Sequence, residues 1–544
     1  MNTAEAVGRT LAGLGVRQVF GVVGSGNFHV TNALVDGGAW FVAARHESSA
    51  ATMADAYARM SDTVTAVSVQ QGCGLTNAMT GITEAAKSRT PLLVLAAEAT
   101  SPLSNFHVDQ PALAAAVGAV PMRVTSPESA VNEAATAYWT ARHKRRTVLL
   151  NLPLDVQAAE VPADATACPH PTAATELPVD EEGVARLVQA LAAAERPVFI
   201  AGRGARAARA ALEQLAESAG ALLATSAVAN GLFEGNPWSL GISGGFASPL
   251  AVELIRDADL IVGWGCALNM WTMSHGALIG PSATVVQVDL EREALGRSRP
   301  ITFGVVGDVQ ATATAAAASL PERTSVGYRS PEAGTQISRR GRWRDVPTED
   351  TSTAERIDPR VLSTALDDVL PGERVVAIDS GNFMGYPSAY LAVPDERGYC
   401  MTQAFQSIGL GLATAIGAAL AQPDRLPVAA LGDGGALMGA SELETVVRLG
   451  LPMVVVVYND AGYGAEVHHF GPHGHDLDTV VFPDTDLAAM ARGIGFDAVT
   501  VRTAADLDAV GSWLAGSRSR PLLVDAKVVA DHPSWWLEEA FRGH

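Results

Sequence analysis

Residues 428–464 decide the fold: Val428-Ala429-Ala430-Leu431-Gly432-Asp433-Gly434-Gly435-Ala436-Leu437-Met438, a helical stretch from Ser441, then Leu451-Pro452-Met453-Val454-Val455-Val456-Val457-Tyr458-Asn459-Asp460-Ala461-Gly462-Tyr463-Gly464. Two wholly apolar runs flank a helix, the pattern of a strand-helix-strand unit with both strands buried on two faces. Asp433 and Asp460 each fall just past the carboxyl end of a strand, where open parallel sheets bind ligands. Adjacent parallel strands bring the two carboxylates together. Oxygen ligands beside glycines that admit close backbone approach suit Mg²⁺, which takes a few carboxylates and fills its shell with phosphate oxygens and water. Each segment alone reads more readily as a turn, since Gly, Asn and Asp dominate turns; their shared position in one unit favours the metal.

Outward from this unit, apolar strand-like runs alternate with alanine-rich helical stretches over most of the chain. The expectation is an α/β protein with three doubly wound parallel-sheet domains: residues 1–165, 183–320 and 357–544. Strands are expected at 18–23, 64–70, 91–97 and 147–152, then at 197–201, 221–224, 259–263 and 284–288, then at 374–379, 427–431, 453–458 and 521–527. Residues 157–182 and 321–356 lack strong periodicity and read as linkers.

The chain has 544 residues, 48% hydrophobic and 18% charged, with a formal net charge of −20. That charge opposes nucleic acid and anionic membrane surfaces as partners. The four cysteines, Cys73, Cys168, Cys266 and Cys400, show no redox or metal-ligand spacing. The start, Met1-Asn2-Thr3-Ala4-Glu5, has no basic segment leading into an apolar one, so a cytoplasmic location is expected. No apolar run approaches the roughly 20 residues of a membrane span.

The motif Gly432-Asp433-Gly434, followed by Asn459-Asp460, resembles the diphosphate motif of thiamine-diphosphate-dependent enzymes typified by acetolactate synthase, benzoylformate decarboxylase and pyruvate decarboxylase. The resemblance implies Mg²⁺ ligated by Asp433, Asp460 and the Gly462 carbonyl, with diphosphate held against Gly432, Gly434 and Gly435. Asp460 stands where the family more often has Asn, which adds charge at the metal. Arg45-His46-Glu47 before a small-residue helix resembles the family's segment whose glutamate bonds a pyrimidine nitrogen of thiamine. On its own Glu47 is also a favourable first-turn carboxylate. Shielded from water, a carboxylate suits the proton exchange this chemistry needs.

By the same resemblance Gly24, Ser25, Gly72, Asn77, Asn382, Phe383, Gln406, Ile408, Tyr463, Gly464 and Ala465 complete the cofactor pocket. Ile408 would prop thiamine into its bent shape. Gln110 matches a glutamine able to bond a substrate carbonyl, and Gln70 stands where benzoylformate decarboxylase has an active-site histidine. Cys73 replaces a common proline of a ligand loop and reads as a small buried residue. The implied activity is a carboligase or acyl transferase acting on a 2-oxo acid and a carbonyl acceptor through a decarboxylated enamine. The alternatives are a 2-oxo acid decarboxylase or aldehyde lyase and, lower, a non-catalytic cofactor-binding homologue. A nicotinamide dehydrogenase is set low because the Gly-x-Gly-x-x-Gly fingerprint is missing.

Acetolactate synthases carry an arginine in the loop here read as Gly263–Met270 and a tryptophan where this chain has His469; both are missing. His468 and His469 read equally as pocket residues or a solvated helix face. Flavin, bound by many acetolactate synthases, is not indicated by the glycines of the middle domain. In the resembling family Glu47 of one chain would reach thiamine held by another, implying a homodimer, often paired into a homotetramer, with active sites at the subunit interface.

Overall fold

The computed structural model describes residues 1–166, 177–323 and 325–542, so Cys168 lies outside the described residues. Among the described residues, eighteen strands form three six-stranded parallel sheets. The first contains β1 (Gln18–Gly21), β2 (Trp40–Ala43), β3 (Thr65–Val69), β4 (Leu92–Glu98), β5 (Val120–Arg123) and β6 (Thr147–Pro153), in the order β2-β1-β3-β4-β6-β5. The second contains β7 (Pro197–Ala201), β8 (Leu222–Thr225), β9 (Ser239–Ile242), β10 (Leu260–Trp264), β11 (Thr284–Asp289) and β12 (Phe303–Val306), ordered β12-β11-β10-β7-β8-β9. The third contains β13 (Arg374–Ile378), β14 (Tyr399–Met401), β15 (Leu426–Gly432), β16 (Val454–Asn459), β17 (Asp497–Val501) and β18 (Leu522–Lys527), ordered β14-β13-β15-β16-β18-β17. The first and third sheets therefore share one winding, and the middle sheet has the order of dinucleotide-binding folds.

Two details differ from the sequence reading. In each sheet the four expected strands are the inner ones, and both edge strands had been missed. Residues 321–356, expected to be irregular, carry the helix Pro331–Arg340, started by the Ser330 side chain accepting from the Ala333 N–H at 3.1 Å. Only Ala333 and Ile337 of that helix are buried, too few to show a period.

One hydrophobic core joins the first and third units. The helices Glu47–Ser61 and Gly411–Ala421 meet there, with Ala50, Met53 and Ala54 packed in the same cluster as Leu412, Ala413 and Ile416. At the far end of the first helix Arg59 donates to Asp55 at 2.5 Å, to Glu84 at 2.7 Å and to the Met401 carbonyl at 2.8 Å. Glu84 in turn accepts the Ala404 and Phe405 N–H groups at 3.0 and 2.6 Å. Burial works against the guanidinium charge, but the two carboxylates hold Arg59 above its ordinary range. Such a network adds less to stability than to the uniqueness of the geometry it fixes. Here it locks residues 401–405, just before Gln406, to the N-terminal unit.

Candidate active site

β15 and β16 pair in register, Gly432 opposite Tyr458, so Asp433 and Asp460 emerge side by side at their carboxyl ends. Asp433 opens a short helix, Asp433–Met438. A side chain at Gly435 would place Cβ 2.3 Å from an Asp379 carboxylate oxygen, so only glycine lets that helix approach the floor of the site. Asn459 holds the second loop from behind: its amide donates to Asp525 at 2.9 Å, and its oxygen accepts the Ala461 N–H at 3.2 Å. Ala461 is forced to φ +60°, a left-handed conformation that non-glycine residues adopt only under constraint.

The donor set fits a divalent cation. Burial, then the charge of Asp433, pushes Asp460 up to about 8, and burial raises Asp433 as well. Two neighbouring buried carboxylates repel unless a proton or a cation lies between them. Gly462 meets Val481 in an antiparallel bridge closed by Tyr463 N–H to Val480 O and Phe482 N–H to Ala461 O, both 2.8 Å. In a bridge of this kind the central residue's own N–H and carbonyl stay outside the ladder. The Gly462 carbonyl is thus free to join the two carboxylates as an oxygen ligand.

A testable consequence follows from the sign of the Asp460 shift. A carboxyl raised from 3.8 to about 8 on folding costs the metal-free protein stability progressively as pH rises between those values, and by a constant amount above them. Asp460→Asn is therefore expected to raise the melting temperature in EDTA, by a margin that widens from about pH 4 to about pH 8. With Mg²⁺ and cofactor present the order should reverse. Calorimetric scans at several pH values check this, and a pH-independent margin in EDTA would contradict it.

The two aspartates open into a cavity of about 550 Å³. Its walls include Gln406, Ile408, Gly432, Gly434, Gly462 and Tyr463, all expected there, together with Asn382 and Phe383 from the loop after β13. The C-terminal segment supports Asn382. Ser534 donates to its side-chain oxygen through N–H at 3.2 Å and through Oγ at 2.9 Å, and Trp536 Nε1 donates to its carbonyl at 3.0 Å. That leaves the Asn382 NH2 as the donor turned to other use, among the described residues. Phe383 lies nearly parallel to Tyr458, ring centroids 5.3 Å apart.

No residue of the first sheet's unit lines this cavity. The N-terminal candidates form a second group of their own. Asn77 donates to Glu47 at 3.1 Å, Gln70 accepts the Gly26 N–H at 2.8 Å and donates to Ser25 at 3.3 Å, and the Gly24 N–H is held by Asn27 at 2.8 Å. Gly72 has φ +61°, and a Cβ there would sit 2.4 Å from the Phe106 carbonyl oxygen. Glu47 is half-buried in the single chain, so its own chain does not supply the shielding expected of it.

Gln110 is 1% exposed; its oxygen accepts the Gly72 N–H at 3.3 Å and its NH2 donates to Asn151 at 2.7 Å, so in this chain it shapes the Gly72 loop. Two expectations need correction. Cys73 is exposed in this chain, not buried. His468 and His469 line neither the cavity nor a simple solvated face: both are half-buried, and His469 stacks on Phe541 with centroids 3.9 Å apart. Burial, reinforced by His532, holds His468 below its ordinary value. Sequence reading also missed the cavity residues Phe246, Trp271, Glu466 and Trp536. The paired Trp535-Trp536 near the end of the chain was the one local signal available.

Comparisons with known proteins match three family models along the chain: the thiamine pyrophosphate enzyme N-terminal TPP binding domain at residues 1–117, the central domain at 184–316 and the C-terminal TPP binding domain at 379–526. A probable 2-ketoarginine decarboxylase of Pseudomonas aeruginosa is 30% identical over 526 residues, covering 93% of this chain and 90% of that protein. A sulfoacetaldehyde acetyltransferase of Alcaligenes xylosoxydans xylosoxydans is 27% identical over 535 residues, covering 91% and 88%. The solved thiamine diphosphate-dependent 4-hydroxybenzoylformate decarboxylase of Rhodococcus jostii RHA1 superposes with a TM-score of 0.81 over 97% of this chain and 99% of its own, at 23% identity. Among the described residues no helix is long and apolar enough to cross a membrane.

Proposed function

Because the chain belongs to the thiamine-pyrophosphate-dependent enzyme family, we propose that it is a Mg²⁺-dependent enzyme that breaks the bond between the carboxylate and the carbonyl carbon of a 2-oxo acid and passes the acyl unit to a carbonyl acceptor. The observation that carries this reading is the split of the candidate residues into two groups on one chain, Asp433, Asp460 and Gly462 in one and Glu47, Asn77 and Gln70 in the other. Each group is half a site. Two copies facing each other complete two sites, which makes a homodimer the least assembly that works and a homotetramer a pairing of such dimers.

In that assembly the bound cofactor supplies a nucleophilic ring carbon and an electron sink for the bond that breaks. The chain's residues do the rest. Asp433, Asp460 and the Gly462 carbonyl would hold Mg²⁺, and the Asn382 NH2 would donate to the diphosphate. Ile408, in the same cavity wall, would support the ring system. Glu47 would hold the proton exchanged at the pyrimidine ring, with a second chain covering it to exclude water. Gln70, bonded to Ser25, would face the substrate from the second copy.

A second reading, release of the acyl unit as a free aldehyde, is favoured by the two decarboxylases among the similar proteins. One experiment tests both: purified protein with thiamine diphosphate and Mg²⁺ is given a panel of 2-oxo acids, with and without an aldehyde. Carbon dioxide release with a ligated product supports the first reading, and aldehyde alone supports the second. No carbon dioxide from any 2-oxo acid would remove both.

A further inference from the structure

Glu442 does not line the cavity, yet it grips the stretch of chain that presents Glu47. It is fully buried in the first turn of the helix Glu442–Arg448, and one carboxylate oxygen accepts two backbone N–H groups, Arg45 at 2.9 Å and His46 at 3.1 Å. Among the described residues neither N–H has another acceptor. The second oxygen accepts the Thr445 hydroxyl at 2.7 Å, which fixes the rotation of the carboxylate. From the same helix Arg448 donates to the Ala43 carbonyl, while Leu443 and Val446 pack in one cluster with Val42 and Ala44. Glu47, the first residue of its helix, follows this clamped segment directly.

The sheet alone does not hold that segment. β2 ends at Ala43 on the edge of the first sheet, and His46 is extended, φ −143° and ψ 144°. Extended backbone at an edge leaves N–H groups unpaired unless something outside the sheet accepts them. A carboxylate does so with charge-assisted bonds roughly twice as strong as neutral ones. We infer that Glu442 is a positioning residue for Glu47 of its own chain. The inference rests on the reading of Glu47 as the proton-exchanging group of a site shared between two copies. In such a dimer Asp433 serves one site, and Glu442, nine residues further along, serves the opposite one.

Two variants separate the bonds from the charge. Glu442→Asp keeps the carboxylate but is one methylene short of the two N–H groups, whereas Glu442→Gln keeps the accepting oxygen and loses the charge. In cofactor-free protein, amide hydrogen exchange over residues 43–48 should quicken about tenfold or more in Glu442→Asp and stay near parental in Glu442→Gln. With thiamine diphosphate and Mg²⁺, Glu442→Asp should lower kcat roughly ten- to hundredfold with KM little changed, the cost of a small misplacement of a reacting group. Glu442→Gln should keep most of the activity. The reverse order in either measurement, or unchanged exchange in Glu442→Asp, overturns the inference.

Mixing variants under subunit exchange then shows which site the residue serves. Glu442→Asp with Asp433→Asn should recover toward about a quarter of the parental rate, because half of randomly paired dimers are mixed and each carries one whole site. With Glu47→Gln it should recover nothing. Recovery with Glu47→Gln in place of Asp433→Asn would assign Glu442 to the metal half and overturn the inference. So would recovery with neither, where Asp433→Asn and Glu47→Gln do revive each other. Failure of the shared-site reading looks different: those two variants then stay inactive together, and the hydrogen exchange of residues 43–48 still decides whether Glu442 holds the segment.

Discussion

Glu47→Gln is expected to lower kcat by about 10²- to 10⁴-fold, the span that removal of a positioned acid–base group produces. The amide keeps the shape of the side chain and can still accept the bond that Asn77 donates to Glu47 at 3.1 Å. It cannot exchange a proton with the pyrimidine ring. Cofactor uptake, measured calorimetrically with Mg²⁺, should therefore change much less than turnover. A variant as active as its parent would remove Glu47 from the mechanism. One that fails to take up cofactor would make Glu47 a binding group, which is a different role.

The second large effect concerns two dead proteins that revive each other. Asp433→Asn should abolish most activity through the metal half of the site, and Glu47→Gln through the other half. If the halves come from different chains, mixing the two variants under conditions that exchange subunits creates dimers with one intact site. Random pairing makes about half of the dimers mixed, with one of two sites whole, so recovery should approach about a quarter of the parental rate. Recovery that stays at the level of either variant alone, with exchange verified by mass, would mean that both halves serve the same chain. That outcome would contradict the absence of any N-terminal residue from the cavity wall.

Much of the architecture was legible because the inner strands are buried on both faces and therefore appear as unbroken apolar runs, such as Val454–Val457. The edges were not legible for the complementary reason. β5 alternates half-buried and exposed residues, Val120-Pro121-Met122-Arg123, and β2 begins with Trp40, which is 52% exposed. A strand with one open side needs no continuous apolar run, and four residues are too few to show alternation. At the site, residues fixed to strand ends were readable: Asp433 and Asp460 follow from the strands before them. Glu466 and Trp536 were not, because they reach the cavity by tertiary packing of a short helix and a terminal segment. Gln110 is a different case: its residue type suits a substrate contact, and only the structure shows its oxygen bonded by the Gly72 N–H and its NH2 donating to Asn151.

The core shared by the helices Glu47–Ser61 and Gly411–Ala421 bears on how this polypeptide can be dissected. Three sheets do not make three modules. The middle sheet owns two clusters composed entirely of residues between Val184 and Ile337. The first and third sheets each have a cluster on one face, but on the other they share a single interior that closes only when both flanks are present. Excising the central segment should yield a fragment that folds alone and could be swapped for a foreign one. Severing either flank should leave an open apolar face, a buried Arg59 stripped of its Met401 contact, and a product prone to aggregate.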